Sequence, residues 1–467
     1  MSFPSTDFTS ADDFIFTSSS IPDPPSEPED FPSNSSENTD LVKLFYEPHM
    51  DDWTREVAQL NSLKFFVSGS PGNIFNFWEL FPNLTEEILL LSITSSSLRH
   101  SMLATAAVIR DAVMHRPPSE FYYLEKQTSL RLLQADISGG AVDEALALSV
   151  LMQICMDTAC GNLRSTYRHM RGLWLIYEQL RKQGGGKKLT PLGMLLKRMA
   201  LRTDLAITSM MEETPCFEPA TMEDEMEDRK WMVEMRGVAR YVLPANIEWA
   251  LASFEMDNLA HRAYIFGKKA DEARARGAGE ETIKLEYRIL MQGFEMWKQR
   301  SIIRQQEELE RYARLTTPLK EDPQSRFLWY QPLPLQNTYY AKLLNQWRAM
   351  SIFASLVINP RPGPEPHSSN RFQNAVEICR THVALGQEGY IGPSWQCLFY
   401  AGVAFGGTNL YPMESGWVLD TLKRIVSVLP FLEPIVARMP RVWNAEYVHW
   451  NSFAQLWEVR EQIEALE

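Results

Sequence analysis

Beyond about residue 40 the apolar positions recur with the period of an α-helix, and that pattern governs the reading of the chain. Met102, Ala106, Ile109 and Val113 fall at i, i+4, i+7 and i+11, one helical face that Pro117-Pro118 is expected to end. Asp143 stands where an N-cap belongs, ahead of a very apolar helix running through Leu146, Val150 and Ile154 to Met156, and the apolar surround predicts central burial. Leu163, Tyr167, Met170, Trp174 and Tyr177 then step by fours and threes, until Gly184-Gly185-Gly186 opens a flexible loop. Trp443, Tyr447, Trp450, Ala454 and Trp457 repeat that spacing near the end of the sequence. Stripes of this kind are packing surfaces first and cofactor boxes rarely.

Between the helices the punctuation is polar or proline-rich. Thr214-Pro215-Cys216-Phe217-Glu218-Pro219, followed by the acidic run Met222–Asp228, reads as a surface loop. A charged helix is expected over roughly 281–313, a proline-rich turn region from Pro323 to Pro334, and a loop at Arg361–Pro366 after which Ser369 caps the next helix. Alternation with a period of two is scarce, and no repeat of fixed length is evident. The expected fold is all-α: a single large irregular helical domain over 41–467.

Residues 1–40 differ. Half of them are Ser, Thr or Pro, nine are acidic, and the first basic residue is Lys43. Such a segment buries too little apolar surface to offset its ordering entropy, so a disordered acidic tail is expected. Phe3, Phe8, Phe14, Ile15, Phe16 and Phe31 are spaced among its acids, an alternation typical of activation segments, with Phe14 and Phe16 the candidate partner contacts. A solubilising tail has the same composition.

Composition narrows the function mainly by exclusion. The formal net charge of -13 argues against a surface built to neutralise phosphates, although it leaves room for a local basic patch. Five scattered cysteines without a C-x-x-C pair suggest reduced thiols rather than a disulfide framework or a structural zinc site. Neither a secretory leader nor a membrane-length apolar run is recognisable. The patterns G-x-S-x-G, G-x-x-x-x-G-K-[ST] and H-E-x-x-H are absent, and no two of the eight histidines share a helical face at i, i+3 or i+4. No catalytic, cofactor or metal residue is assigned. The alternative enzyme reading, a helical magnesium-dependent catalyst acting on a diphosphate, rests on Asp51-Asp52 and on Glu223–Asp228, since clustered carboxylates supply hard oxygen ligands.

One basic feature stands out. Arg164, Arg168 and Arg171 fall at i, i+4 and i+7 on the helix carrying Trp174, with Arg181, Lys182, Lys187 and Lys188 around the triglycine loop. This is a solvated face or a contact for an acidic partner or a phosphate, groups that a guanidinium fork suits; Arg164 and Arg168 are the candidate contacts.

Three stretches together resemble the regulatory, or middle-homology, domain of fungal-specific transcription factors. They are the small-residue run Ser97–Ala107; Tyr122-Tyr123 through Leu133, the apolar helix Ala145–Met156 and Tyr167–Leu173 with its His169-x-Arg171-Gly172 element; and Trp395–Gly402. The resemblance implies a nuclear regulator, an activator by its acidic tail, that controls a metabolic gene cluster such as one of secondary metabolism. It implies contacts with other transcription proteins, a small-molecule effector and a homo- or hetero-dimer. His169, Arg171, Gly172, Trp395 and Gly402 carry it as structural positions, Gly172 by letting a neighbouring helix approach. One feature departs from the family: its zinc cluster needs six cysteines within about 30 residues, and here the first cysteine is Cys155. DNA contact is therefore expected only indirectly, or through an N-terminal module absent from this sequence.

Overall fold

The computed structural model describes residues 52–67, 84–114, 116–140, 142–183, 191–210, 215–217, 226, 229–230, 247–277, 280–300, 303–308, 321–322, 325–329, 338–359, 370–386, 394–406, 411–426 and 432–444. Phe14, Phe16, the triglycine loop, Ser369 and the aromatic stripe beyond Trp443 lie outside them. The fold is all-α, and residues 50–467 group as one compact unit. Its helices are α1 (Asp52–Val67), α2 (Leu84–Thr94), α3 (Ser96–Val113), α4 (Glu120–Ser138), α5 (Glu144–Ala159), α6 (Leu163–Gln183), α7 (Pro191–Met210), α8 (Ile247–Ala275), α9 (Glu280–Lys298), α10 (Thr338–Ile358), α11 (Asn370–Gly386), α12 (Ser394–Phe405), α13 (Pro412–Val426) and α14 (Glu433–Trp443).

Local chemistry sets the boundaries. Ser95 Oγ accepts from Leu98 N at 3.3 Å to cap α3, and Asp143 Oδ1 accepts from Leu146 N at 2.8 Å to cap α5, as its position predicts. Helix α3 stops at Val113, a few residues short of Pro117, because the residue before a proline avoids helical backbone and the last turn unwinds ahead of it. Gly277, between α8 and α9, has φ +67°, the left-handed conformation that ends a helix cheaply only in glycine. Two expectations need correction. The charged helix over 281–313 is interrupted: α9 ends at Lys298, and helical backbone resumes at 303–308. Within the expected turn region lies a strand, β2 (Ser325–Trp329), paired antiparallel with β1 (Glu321–Asp322); its Phe327-Leu328-Trp329 run favours extended backbone once flanking prolines isolate it from a helix.

The core gathers on helices apolar all round. On α5, Ala145 through Ile154 are buried without interruption. α8 and α10 cross the second half of the domain, where Tyr264, Phe353 and Tyr400 meet ring against ring. Indole N–H groups pin these layers: Trp297 donates to Ala252 O (2.8 Å), Trp347 to Phe294 O (3.1 Å) and Trp443 to Gly402 O (2.9 Å). Burying an indole without such an acceptor would leave an unpaired donor in the core.

Candidate partner-binding face

Helix α6 carries the site that the sequence singles out, and its amphipathic register positions it. Met170, Leu173, Ile176 and Tyr177 are buried, with Tyr167, Trp174 and Leu180 packed beside them. The opposite side presents Arg164, Arg168, Arg171, Leu175, Gln179 and Lys182, all exposed. The face thus extends the arginine triplet by about three further turns, with Leu175 left 56% exposed between cations. Continuing the same spacing to i+11, i+15 and i+18 is the signal that would have found the extra residues. Among the described residues Arg164, Arg168 and Arg171 form no ion pair, on a protein of net charge -13, and Arg171 lies near enough to Cys216 to act on its thiol.

A buried acid holds this face in register. Asp157, at the end of α5, is 1% exposed and receives Lys126 Nζ from α4 on Oδ1 at 2.7 Å, while His169 Nδ1 from α6 lies 3.0 Å from Oδ2. Burial raises the Asp157 pKa, but the close approach of His169, Lys126 and Ser165 outweighs it and brings the carboxyl down to about 2. His169 therefore tethers α6 to α5 while Arg168 and Arg171, on either side of it, point to solvent. At the N-terminus of α6, Asn162 Oδ1 accepts from Ser165 N at 3.2 Å. A neighbouring seam joins three helices through small polar groups: Gln153 Nε2 donates to Ser129 Oγ at 2.6 Å and Ser101 Oγ at 3.3 Å. Glu125, fully buried, takes Arg55 from α1 at 3.2 Å and His100 from α3 at 2.5 Å.

The remaining family-motif positions separate into two kinds. Gly402 is a close-packing glycine: an added Cβ would lie 2.7 Å from Met439 Cε and 3.2 Å from Val418 Cγ1, and Trp395 is buried on the same helix. Gly172 is not. A Cβ there would meet nothing within 4 Å, so its expected role in helix approach does not hold; the residue is half-buried beside the arginine face.

Asp51 and most of Glu223–Asp228 lie outside the described residues. Among the described residues no three His, Cys, Asp or Glu side chains converge as metal ligands, and no helix is long and apolar enough to cross a membrane. Neither a protein-family model, a curated protein nor a solved structure matches the chain.

Removing the tether should be measurable. Asp157→Asn leaves Lys126 without its counter-charge and removes the carboxylate facing His169, and the pKa shift to about 2 corresponds to about 2 kcal/mol of stability. Because the folded pKa is depressed, that contribution is present above the unfolded value and disappears as pH falls from about 4 toward 2. A urea denaturation midpoint at pH 7 should drop accordingly; an unchanged midpoint would mean that water already satisfies Lys126.

Proposed function

We propose that the chain is a nuclear transcription regulator working through protein–protein contacts, with the arginine face of α6 receiving an acidic partner segment. The exposed Arg164-Arg168-Arg171 row, with no ion pair among the described residues of an acidic protein, carries this reading. Forked donors at helical spacing suit carboxylates on a partner helix, and exposed Leu175 offers an apolar contact among them. The resemblance to fungal-specific transcription factors supports it too, because each stretch that carries the likeness lies on a helix, in α3, α4, α5, α6 and α12. In this reading the partners are other transcription proteins, DNA is reached through them, the N-terminal acidic segment is the activating element, and the output is control of a metabolic gene cluster.

The test fuses the full chain to a heterologous DNA-binding domain. Reporter output should rise several-fold over that domain alone and fall toward background with Arg164→Glu plus Arg168→Glu. Those exposed positions should leave thermal stability within about 0.5 kcal/mol of wild type, which separates lost contact from lost fold. Phe14→Ala with Phe16→Ala should lower output independently. A wild-type fusion no more active than the DNA-binding domain would retire the proposal.

A further inference from the structure

Helix α1 is held firmly yet presents an apolar stripe to solvent. Its inner side is fixed by fully buried Ser62 and Phe66, by Leu63 and Phe65 against the core, and by Arg55 on buried Glu125. Its outer side carries Trp53 (74% exposed), Val57 (41%), Leu60 (66%) and Val67 (53%). Trp53, Leu60 and Val67 recur every seven residues with Val57 between, the spacing of a helix-pairing seam rather than of scattered surface residues. Isolated exposed apolar side chains need no explanation; an aligned row led by a tryptophan does.

The charges beside the stripe indicate what covers it. Glu56 and Lys64 are both exposed, have no ion-pair partner among the described residues, and lie four residues to either side of Leu60. A second α1 laid antiparallel, with the two-fold axis at Leu60, sets each Glu56 at the level of the other copy's Lys64 and each Trp53 at the level of the other's Val67. The stripe is thus complementary to itself in shape and charge, which is what an isologous contact requires. A basic or acidic partner would leave one of the two charges opposed.

We infer that α1 is a homodimerisation surface, pairing antiparallel with a second copy of this chain. This inference does not depend on the α6 reading. The stripe spans about 21 Å of a helix about 10 Å across, on the order of 200 Å², well short of the roughly 800 Å² per partner of a stable interface, so the dimer is weak and concentration-dependent.

Sedimentation velocity on the full chain, from about 1 to 200 µM, should show a monomer shifting to a dimer in the upper part of that range. Leu60→Asp should abolish the shift. Glu56→Lys and Lys64→Glu should each weaken it several-fold, whereas the two combined should restore it, an outcome peculiar to self-pairing. Leu60→Cys should give a disulfide-linked dimer on mild oxidation, beyond any cross-linking of the wild-type chain. A monomer at every concentration, or a dimer indifferent to Leu60→Asp and to the charge swaps, overturns the inference. So does a monomer whose thermal midpoint falls with Leu60→Asp, which would place another segment of the same chain over the stripe.

Discussion

Lowering the pH from 7.5 to 5 is expected to remove about 2 kcal/mol of folding stability through His261 alone. This side chain lies on α8, 1% exposed, and neither ring nitrogen has a hydrogen-bond partner among the described residues. Burial drives its pKa from 6.5 down to about 4, because an imidazolium there would be desolvated. The sign follows. Above pH 6.5 the ring is neutral in both states and contributes nothing. Between 6.5 and 4 the unfolded chain takes up a proton that the folded chain refuses, so stability falls as pH falls, and below 4 the loss is complete. His382 acts in the same direction: burial, helped by repulsion from Arg424, brings it also to about 4. Asp257, one turn before His261, opposes them. Burial raises its pKa despite Arg202, Gln346 and Arg198, so the folded state holds that proton more tightly, in a window just above the usual aspartate value. Urea midpoints at the two pH values measure the sum. His261→Leu should shrink the difference by about 2 kcal/mol; an undiminished difference would assign the acid sensitivity elsewhere.

What could be read from the sequence depended on how locally each feature is determined. Asp143 announces its cap because the capping oxygen and the amide it receives are three residues apart. The α6 face was legible for the same reason, since periodicity along one helix decides which residues share a side. The partners that fix the face were not. Asp157 meets Lys126 from one helix and His169 from another, and neither helical period nor composition records which helices become neighbours. His261 was one of eight scattered histidines until three-dimensional packing buried it. Gly172 failed in the opposite way: a glycine next to His169 and Arg171 reads as a packing residue, yet no neighbour comes within 4 Å of where its Cβ would lie, while Gly402 does the packing. The hairpin strand at Ser325–Trp329 was hidden because prolines on either side dominate any local pattern. Long-range pairing thus separates the legible half of the candidate site from the illegible half.

Phe353→Ala is expected to cost about 3–5 kcal/mol, against a total stability of about 5–15 kcal/mol for proteins generally. Phe353 on α10 is fully buried, with its ring centroid 4.8 Å from that of Tyr264 on α8 and 5.8 Å from that of Tyr400 on α12. The substitution removes two ring contacts as well as apolar area, and the cavity cannot easily collapse. α8 and α10 are both tied to α9, α8 by Trp297 and α10 by Trp347, and Tyr264 and Tyr400 pair at their hydroxyls at 3.5 Å. Those two phenols cannot rotate into the space without giving up that contact, and burial keeps Tyr400 neutral well above the ordinary tyrosine range. Phe353→Leu, which refills most of the volume but restores no ring pair, should lose less than half as much. Chemical denaturation of both variants separates the terms. If alanine costs less than about 2 kcal/mol, the three helices can move together after all, and the aromatic layer does not set the spacing between α8, α10 and α12.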